Sequence, residues 1–544
     1  MSDARILKFV NPATQEVFGE IPMCTKSEVE AAMLEMRRAA GVWSSTPVQE
    51  RIRILRKLQH EIIAAADEIT AVMTQDTGKS RQDALAEVFM TVDMLHLYLR
   101  RAPHWLRRRR ISSGIFFFKR ITVEPRPYGV VAVIAPWNYP FALAMPPVLS
   151  ALLAGNTVLL KPSEVTGATG LLIERLFERV PELTPYVRVL HGDGEVGEAL
   201  VRSRPDFIFL TGSTATGRKV MQAAAEYLIP TACELGGKDA MIVLEDADLD
   251  AAAHWGVWGA FYNTGQTCMS VERVYVVKEV YDEFLKRVLD AAARLKVGYT
   301  TDIRSPYYMG PITDPRQFRT IQRHLDDALA KGARLLTGGE IHGMFIEPAV
   351  LVDVDHNMLL MQEETFGPLL PIMKVDDEEQ AVRLANDSHF GLSASVWSQD
   401  IRRAERVADR IQAGSVVVND TIAQFAIPML PFGGVKQSGT GRTHGKVGLL
   451  QFTLPKAVVT GQPPYPWDLA TVARKPGNYR LVQTVMNALF GVTPAQKLQP
   501  LAGMLSSGEV KLPSRRTGAA LGALGALTAA MVSSFLFFRR GRRS

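Results

Sequence analysis

Hydrophobic and polar residues follow two different periods along this chain. In the first hundred residues, apolar positions recur with the spacing of amphipathic helices, which predicts long helices over about 26–43, 49–77 and 81–106. From Tyr128 onward, short runs of consecutive apolar residues end in Gly, Ser or Pro turns and are followed by helical patterns. Runs of this kind are typical of strands buried on both faces, so the alternation predicts parallel sheets covered by helices.

The strand–helix alternation falls into two series. The first includes the runs VVAVIA at 130–135 and TVLLKPS at 157–163, with a helix predicted over 141–153 between them. The second begins near Ala240 with MIVL and continues to about Asn419. We therefore predict an α/β protein with a doubly wound, Rossmann-type parallel sheet and a second α/β domain. Ligands of such sheets bind at the carboxyl ends of the strands.

The net charge of the chain is concentrated at its C-terminal end. The 544 residues include 62 Lys and Arg against 56 Asp and Glu, a net charge of +6. Seven basic residues and no acidic residue lie from Lys511 onward, so the first 510 residues are close to neutral. This distribution argues against nucleic-acid binding by the body of the protein. Three cysteines without a CxxC pair argue against a disulfide framework and a zinc cluster, and we expect no metal site.

The C-terminal segment 515–544 has the pattern of a membrane anchor. Its uncharged stretch of 22 residues, 517–538, lies between Arg515-Arg516 and the basic sequence RRGRR. A helix of that length spans a hydrocarbon core of about 30 Å, whereas the alternative is a packed or partly disordered alanine-rich helix. Because the N-terminus lacks a signal peptide, we expect a cytoplasmic body and a single-pass C-terminal anchor, with 463–514 as the connector.

Three residues in separate turns are candidates for nucleophilic chemistry. Cys268 lies in NTGQTCMS, Glu234 lies in CELGGK, and Asn138 lies in PWNYP. A thiol is a strong nucleophile once deprotonated, a carboxylate can act as a base, and a side-chain amide can donate to a developing oxyanion. Taken one at a time, a buried cysteine, a capping carboxylate and a turn asparagine are the more common interpretations.

Two further segments are typical of nucleotide binding. Lys161 and Glu164 lie at the end of a predicted strand and offer a cation and a carboxylate to hydroxyl groups. The segment TGSTATG at 211–217 joins a strand to a helix, and its small residues permit close approach of a pyrophosphate to the helix N-terminus. It differs from the GxGxxG fingerprint of dinucleotide-binding loops.

Together, seven segments resemble the NAD(P)-dependent aldehyde dehydrogenase superfamily in sequence and in order, over roughly residues 5–460. They are PWNYP at 136–140, LKPSE at 160–164, FLTGSTATG at 209–217, ELGGK at 234–238, GQTC at 265–268, EETFGP at 363–368 and PFGGVKQSG at 431–439. The resemblance implies an aldehyde dehydrogenase-like homodimer with a dinucleotide-binding domain, a catalytic domain, and a return to the cofactor domain with an oligomerisation strand. The dinucleotide-binding domain would comprise 1–233, with 110–126 as part of an oligomerisation arm. The catalytic domain would comprise 234–433, and the return with the oligomerisation strand would comprise 434–462.

The resemblance also implies roles for individual residues. Cys268 would attack the aldehyde to give a thiohemiacetal, while Asn138 and the backbone N–H of Cys268 would stabilise the oxyanion. Hydride transfer would leave a thioester, and Glu234 would activate water for its hydrolysis. The implied cofactor is NAD, with NADP possible, because Glu164 suits a ribose 2′-hydroxyl. The implied cofactor-binding residues are Trp137, Lys161, Ser163, Glu164, Gly212, Ser213, Gly217, Leu235, Glu364 and Phe366.

The connector and the tail are additions to the part of the chain that resembles the family. Membrane-bound fatty aldehyde dehydrogenases carry a comparable anchor, which favours long-chain or other hydrophobic aldehydes as substrates. One alternative is a semialdehyde or aromatic aldehyde dehydrogenase whose tail only localises it. Another is a non-catalytic scaffold recruited to a membrane. The Arg-rich segment 100–110 is either a lipid contact or a solvated face, and the second interpretation is preferred.

Overall fold

The computed structural model of the protein describes residues 5–114, 116, 119–461, 479–493 and 495–496. The described residues divide between two units, one within 1–112 and 121–458 and the other within 113–120 and 459–544. The anchor predicted at 517–538 lies outside the described residues. Among the helices in the described ranges, none is long and apolar enough to cross a membrane.

The first unit begins with a β-hairpin and four helices. Helices occur where the apolar spacing predicts them, but the stretch predicted as one helix over 49–77 is two helices that meet at Ala65, whose ψ is 9°. Asp67 and Glu68 in the first turn of the second helix favour a new N-terminus there. The elements are β1 (Ile6–Val10), β2 (Val17–Pro22), α1 (Lys26–Ser45), α2 (Val48–Ala64), α3 (Ala66–Thr77) and α4 (Arg81–Trp105).

A six-stranded sheet follows, after two strands of a smaller sheet. The strands are β3 (Arg109–Ile111), β4 (Lys119–Pro127), β5 (Val130–Ile134), β6 (Thr157–Lys161), β7 (Val187–Val189), β8 (Phe207–Thr211) and β9 (Thr231–Glu234). The helices between them are α5 (Met145–Ala154), α6 (Gly167–Glu178), α7 (Gly194–Arg202) and α8 (Thr214–Ala225). The six-stranded sheet has the order β19-β9-β8-β5-β6-β7, with β19 defined below, and its neighbours are parallel except β19 and β9.

Strand β5 shows why these apolar runs form a buried parallel sheet. All five of its residues are buried. Val131 and Val133 pack in the hydrophobic cluster on one face, and Val130 and Ala132 pack in the cluster on the other. The α/β prediction with parallel sheets is thus confirmed for this series. The helix predicted from Phe141 begins only at Met145, where Pro146 and Pro147 occupy its first turn.

The second series forms a seven-stranded sheet of order β12-β15-β16-β11-β10-β17-β18. Its neighbours are parallel except β12 and β15. The strands of this part of the chain are β10 (Asp239–Val243), β11 (Val271–Val277), β12 (Arg334–Thr337), β13 (Ile341–His342), β14 (Phe345–Ile346), β15 (Ala349–Val352), β16 (Leu369–Val375), β17 (Ser393–Trp397) and β18 (Ser415–Val418). The helices are α9 (Leu249–Phe261), α10 (Tyr281–Ala292), α11 (Pro315–Ala330), α12 (Leu359–Gln362), α13 (Glu378–Asn386) and α14 (Ile401–Ala408).

The chain then returns to the six-stranded sheet and ends its regular structure with two further elements. Strand β19 (Gly439–Thr440) pairs with the end of β9, and helix α15 (Gly445–Leu450) follows it. Strand β20 (Thr453–Gly461) belongs to a three-stranded sheet of order β20-β4-β3, at the positions predicted for the oligomerisation arm. The second compact unit contains helix α16 (Tyr479–Phe490), which lies within the predicted connector.

Candidate active site

A cavity of about 1090 Å³ lies at the carboxyl ends of the strands of the six-stranded sheet. The sequence-predicted site residues line it, with the exception of Gly217. They converge because Lys161, Thr211 and Glu234 are the last residues of three strands of this sheet, and Trp137 and Asn138 follow the end of β5, which lies between β6 and β8. The lining residues from the prediction are Trp137, Asn138, Lys161, Ser163, Glu164, Gly212, Ser213, Glu234, Leu235, Cys268, Glu364 and Phe366.

The turn before Cys268 is held in a specific, strained conformation. Three successive residues, Asn263, Thr264 and Gly265, have φ angles of 51°, 60° and 73°. Gln266 secures the turn, because its side-chain amide donates to Asn263 O at 3.0 Å and its Oε1 accepts from Thr313 N at 2.8 Å. The thiol is therefore presented to the cavity from a rigid loop that directly precedes β11.

Cys268 is a thiol rather than a thiolate in this environment. Desolvation raises the pKa of Cys268 well above its ordinary value, and the nearby carboxyl groups of Asp239, Glu364 and Glu234 raise it further. The thiol is partly exposed to the cavity. A proton must leave the sulfur before it can act as a nucleophile.

Glu234 is a buried carboxyl group, with 7% of the residue exposed. Burial raises its pKa well above the usual range, and the charge of Arg442 only partly opposes this. Its Oε2 has no hydrogen-bond partner among the described residues. Gly433 makes room for Oε1, since a Cβ there would lie 2.8 Å from it. An acid held neutral by burial, with a free oxygen, has the properties of a general base that works after deprotonation.

Asn138 is buried, and its side-chain amide donates to Gln266 O at 3.0 Å. This bond directs the amide toward the loop that carries Cys268. The 137–142 loop has no regular structure, and two residues outside the sequence prediction hold it. Lys79 donates to Asn138 O at 2.8 Å, and Glu87 accepts the N–H groups of Phe141 and Ala142. No motif marks Lys79 or Glu87, because the contact joins segments about 55 residues apart in sequence.

The adenine side of the predicted cofactor site is preorganised. Lys161 Nζ contacts Glu164 Oε2 at 2.9 Å, and Arg316 contacts the other carboxylate oxygen at 3.3 Å. Burial has the largest single effect and raises the pKa of Glu164, but the charge and hydrogen bond of Lys161, a backbone hydrogen bond and the charge of Arg316 together lower the pKa overall. Ser163 Oγ accepts from Val165 N at 3.2 Å and fixes the turn between them. An ionised carboxylate is therefore available to ribose hydroxyl groups.

Helix α8 presents its N-terminus to the same cavity. Ser213 caps the helix, with Thr216 N donating to its Oγ at 3.2 Å, and Gly212 precedes it without a side chain. Gly217 has a packing role, because a Cβ there would lie 2.7 Å from Leu235 Cδ2. The free backbone N–H groups of a helix N-terminus bind phosphate, so this part of the chain fits a dinucleotide.

The 363–368 loop contributes Glu364 and Phe366 to the lining of the same cavity. Glu364 Oε1 accepts from Gly237 N at 3.1 Å, and burial, followed by the charge of Glu272, raises the pKa of Glu364 to about 8. Phe366 has a φ of 52°, and its ring meets that of Trp137 edge-on at 5.4 Å. Gly236 leaves room for the Glu364 carboxyl group, since a Cβ there would lie 2.1 Å from Oε2.

A buried ion pair missed by the sequence analysis holds this second loop. Lys238 Nζ contacts Glu272 Oε2 at 2.6 Å, and both side chains are almost fully buried. Glu272 accepts the N–H groups of Thr365 at 2.7 Å and Phe366 at 2.9 Å. Lys238 belongs to the ELGGK segment, so the sequence motif could have identified it as a site residue. Glu272 lies outside every motif, so the sequence offered no signal for it.

An apolar and aromatic wall faces the thiol. Met269, Leu392, Ile422 and Phe432 form a buried cluster that packs with Trp258, Cys268 and Phe425. The Phe425 and Phe432 rings meet edge-on at 5.2 Å, and His444 lies 4.8 Å from the Phe425 ring. Burial lowers the pKa of His444 to about 4, so its imidazole is neutral near pH 7. These residues come from scattered positions, and for that reason the sequence did not reveal them.

Two largely parallel sheets, a cavity whose lining fits a dinucleotide, and a thiol in that cavity are features of an NAD(P)-dependent oxidoreductase. The profile of the aldehyde dehydrogenase family matches residues 1–458. The chain belongs to the aldehyde dehydrogenase family, and it is an NAD(P)-dependent aldehyde dehydrogenase. The family prediction made from the seven segments is confirmed.

Individual relatives are similar over most of their length. The chain is 44% identical over 490 residues to a 4,4′-diapolycopene aldehyde oxidase of Methylomonas sp, covering 89% of this chain and 91% of the relative. It is 35% identical to a peroxisomal aminoaldehyde dehydrogenase 1 of Pisum sativum, covering 84% of this chain and 93% of the relative. A crystal structure of betaine aldehyde dehydrogenase from Staphylococcus aureus in complex with NAD⁺ matches with a TM-score of 0.80 and 31% identity, covering 85% of this chain and 92% of that one.

Proposed function

We propose that this aldehyde dehydrogenase oxidises hydrophobic, long-chain aldehydes to carboxylic acids. The observation that carries the proposal is the distribution of charge in the cavity. Apart from Glu234, the Lys, Arg, Asp and Glu residues that line the cavity lie on the predicted cofactor side. They fall within 161–226 and 314–316 and at Glu364. The remaining described lining residues, from α4, 134–150 and 392–452, include none of these four types. A carboxylate or ammonium group on the substrate would find no opposite charge there.

We assign the chemistry to the three residues that meet at the thiol. The ionised form of Glu234 accepts the proton of the Cys268 thiol and passes it to solvent, and the sulfur attacks the aldehyde carbon. The Asn138 amide and the Cys268 backbone N–H stabilise the oxygen of the thiohemiacetal. NAD, when bound, supplies the two-electron oxidant that turns this adduct into a thioester. Glu234 takes a proton from the water that hydrolyses the thioester, so the product is the free acid.

We assign the residues around the cavity to the parts of the dinucleotide that each group can bind. Lys161 and Glu164 bind the adenine ribose, and Ser163 fixes the turn between them. Gly212, Ser213 and the N-terminus of α8 face the pyrophosphate beside Trp137, while Gly217 and Leu235 pack the helix against the sheet. Glu364 and Phe366 contact the nicotinamide riboside. NAD is preferred because the Glu164 carboxylate repels a 2′-phosphate.

The assembly and the domain boundaries are proposals of the same kind. The cofactor domain comprises 1–233 and 434–462, and the catalytic domain comprises 234–433. Strands β3, β4 and β20 form an arm that pairs two copies in a homodimer, since exposed edge strands are ready templates for pairing. The support is the largely exposed surface of β3 and β20.

The location is proposed from the sequence of the tail. Residues 517–538 insert into a membrane as a single-pass anchor, and the catalytic body stays on the cytoplasmic face. Long-chain aldehydes partition into bilayers, so an anchored enzyme is close to its substrate. Deletion of 515–544 should move the protein from the membrane fraction to the soluble fraction with turnover of a short aldehyde unchanged. Retention of the truncated protein by membranes would make the 100–110 arginine segment the better candidate.

A substrate series tests the proposed specificity. Saturated aldehydes from C4 to C16 should show kcat/KM rising with chain length by about threefold to fourfold per methylene until the cavity is filled. Succinic semialdehyde and an aminoaldehyde of matched length should be poorer substrates than the uncharged aldehyde. A preference for either charged aldehyde would refute the hydrophobic assignment.

Cysteine variants test the nucleophile with the same substrates. Cys268→Ala should abolish NADH formation and leave NAD binding intact. Cys24→Ala is the matched control, because Cys24 is also partly exposed but lies outside the cavity lining. Turnover by Cys268→Ala equal to that of Cys24→Ala would overturn the mechanism.

A further inference from the structure

Lys79 and Glu87 form an ion pair that is buried almost completely, with side-chain exposures of 3% and 0%. Lys79 follows the glycine that ends α3, and Glu87 lies in α4. Removing two charges from water is costly unless strong hydrogen bonds compensate. Among the described residues, every hydrogen bond that these two side chains make outside the pair goes to the 137–142 loop.

The contacts secure the loop at both ends. Lys79 Nζ donates to the backbone oxygen of Asn138 at 2.8 Å and lies 4.5 Å from the centre of the Tyr139 ring. Glu87 Oε2 accepts the backbone N–H groups of Phe141 and Ala142, each at 3.1 Å. Bonds from ionised partners are about twice as strong as neutral ones, so the pair fixes the backbone on either side of Pro140.

The loop requires such support because it has no internal hydrogen-bond ladder. Helix α5 begins only at Met145, so the N–H groups of Phe141 and Ala142 have no helical carbonyl to bond. Without Glu87 they would be buried and unpaired, since both residues are buried. On the reacting side, Asn138 is held by the loop that carries Cys268, because its amide donates to Gln266 O and its backbone oxygen accepts from Asn263 Nδ2 at 3.2 Å.

We propose that the Lys79–Glu87 pair positions Asn138 for stabilisation of the oxyanion. The proposal rests on the function assigned to Asn138 above. Lys79 and Glu87 are positioning residues, because they act through the loop backbone and do not line the cavity. A displacement of about 1 Å in such a group can cost about a hundredfold in rate.

A double-mutant cycle tests this positioning. Lys79→Met and Glu87→Gln should each lower the single-turnover rate of NADH formation about tenfold to a hundredfold, with the Kd for NAD changed less than twofold. In an Asn138→Ala background, the same changes should lower the rate less than threefold, because the group they position is already absent. Lys57→Met is the matched control, since Lys57 is paired with Glu182 at the surface. It should leave the rate unchanged.

The outcomes separate this proposal from the one on which it depends. Suppose that Asn138→Ala lowers the single-turnover rate, but that Lys79→Met lowers it by the same factor with and without Asn138. The positioning role is then refuted, and the oxyanion role stands. If Asn138→Ala is as active as the parent, the oxyanion role fails and the positioning role fails with it. Glu87→Gln keeps the side-chain volume and one acceptor oxygen, so it provides the comparison if Lys79→Met does not fold.

Discussion

Two irregular loops line the cavity that contains the thiol, and each is held by a buried Lys–Glu pair. The 137–142 loop is held by Lys79 and Glu87, and the 363–368 loop is held by Lys238 and Glu272. In both, a carboxylate accepts two backbone N–H groups of the loop. Since neither loop has a helix or strand ladder there, ionised side chains replace the missing backbone partners.

The difference between the loops lies in what the lysine contacts. Lys79 bonds the backbone oxygen of Asn138, the residue assigned to the reacting carbonyl. Lys238 bonds the side chain of Thr365, beside residues assigned to the cofactor. The same device therefore supports the chemical step in one loop and cofactor binding in the other. Defects in the first should appear in kcat, and defects in the second should appear in the KM for NAD.

Of the two loops, the larger effect is expected at the 137–142 loop. Asn138→Ala should lower kcat by about 10²-fold to 10³-fold, because one oxyanion donor is lost. The KM for NAD should stay within about twofold, as Asn138 has no assigned cofactor contact. Steady-state kinetics with a long-chain aldehyde checks both values. A rise in the KM for NAD that matched the loss in kcat would remove the distinction between the loops.

A smaller effect is expected at the 363–368 loop. Glu272→Gln should raise the KM for NAD about tenfold, since the loss of about 1.4 kcal/mol of charge-assisted hydrogen bonding to the Thr365 and Phe366 N–H groups loosens the loop. The single-turnover rate at saturating NAD should fall less than threefold. Lys374→Met, which removes a surface contact to Asp282, is the control. A large loss of rate with unchanged NAD binding would contradict the comparison.

The smallest effect is the pH dependence of NAD binding. The pKa of Glu364 is raised to about 8 by burial and by Glu272, so the carboxyl group is mostly protonated at pH 7 and ionises as the pH rises. The ionised form accepts hydrogen bonds from ribose hydroxyl groups, so the Kd for NAD should fall a few-fold between pH 7 and pH 9. Titration of Cys268→Ala measures this without turnover. Glu364→Gln in that background should flatten the dependence, and an unchanged slope would refute the assignment.

Much of the fold and of the candidate site could be predicted because each signal is local. The apolar runs of β5 and β6 mark buried strands; Asn138 lies in the turn after β5, and Lys161 is the last residue of β6. Since the carboxyl ends of parallel strands share one edge, local motifs were enough to bring these side chains together. The helix break at Ala65 and the late start of α5 were missed, because tertiary packing decides where marginal helices end.

The sequence by itself determined the two α/β series, the thiol and its predicted carboxyl and amide partners. It also determined the C-terminal tail, in which basic residues flank an uncharged stretch. Only the tertiary structure decided which residues hold the site, namely Lys79, Glu87 and Glu272, and which form the wall facing the thiol. The physical reason is that a motif records what one short segment needs for its own turn or chemistry. A buried charge or an apolar wall is defined by partners from distant segments, which meet only when the chain folds.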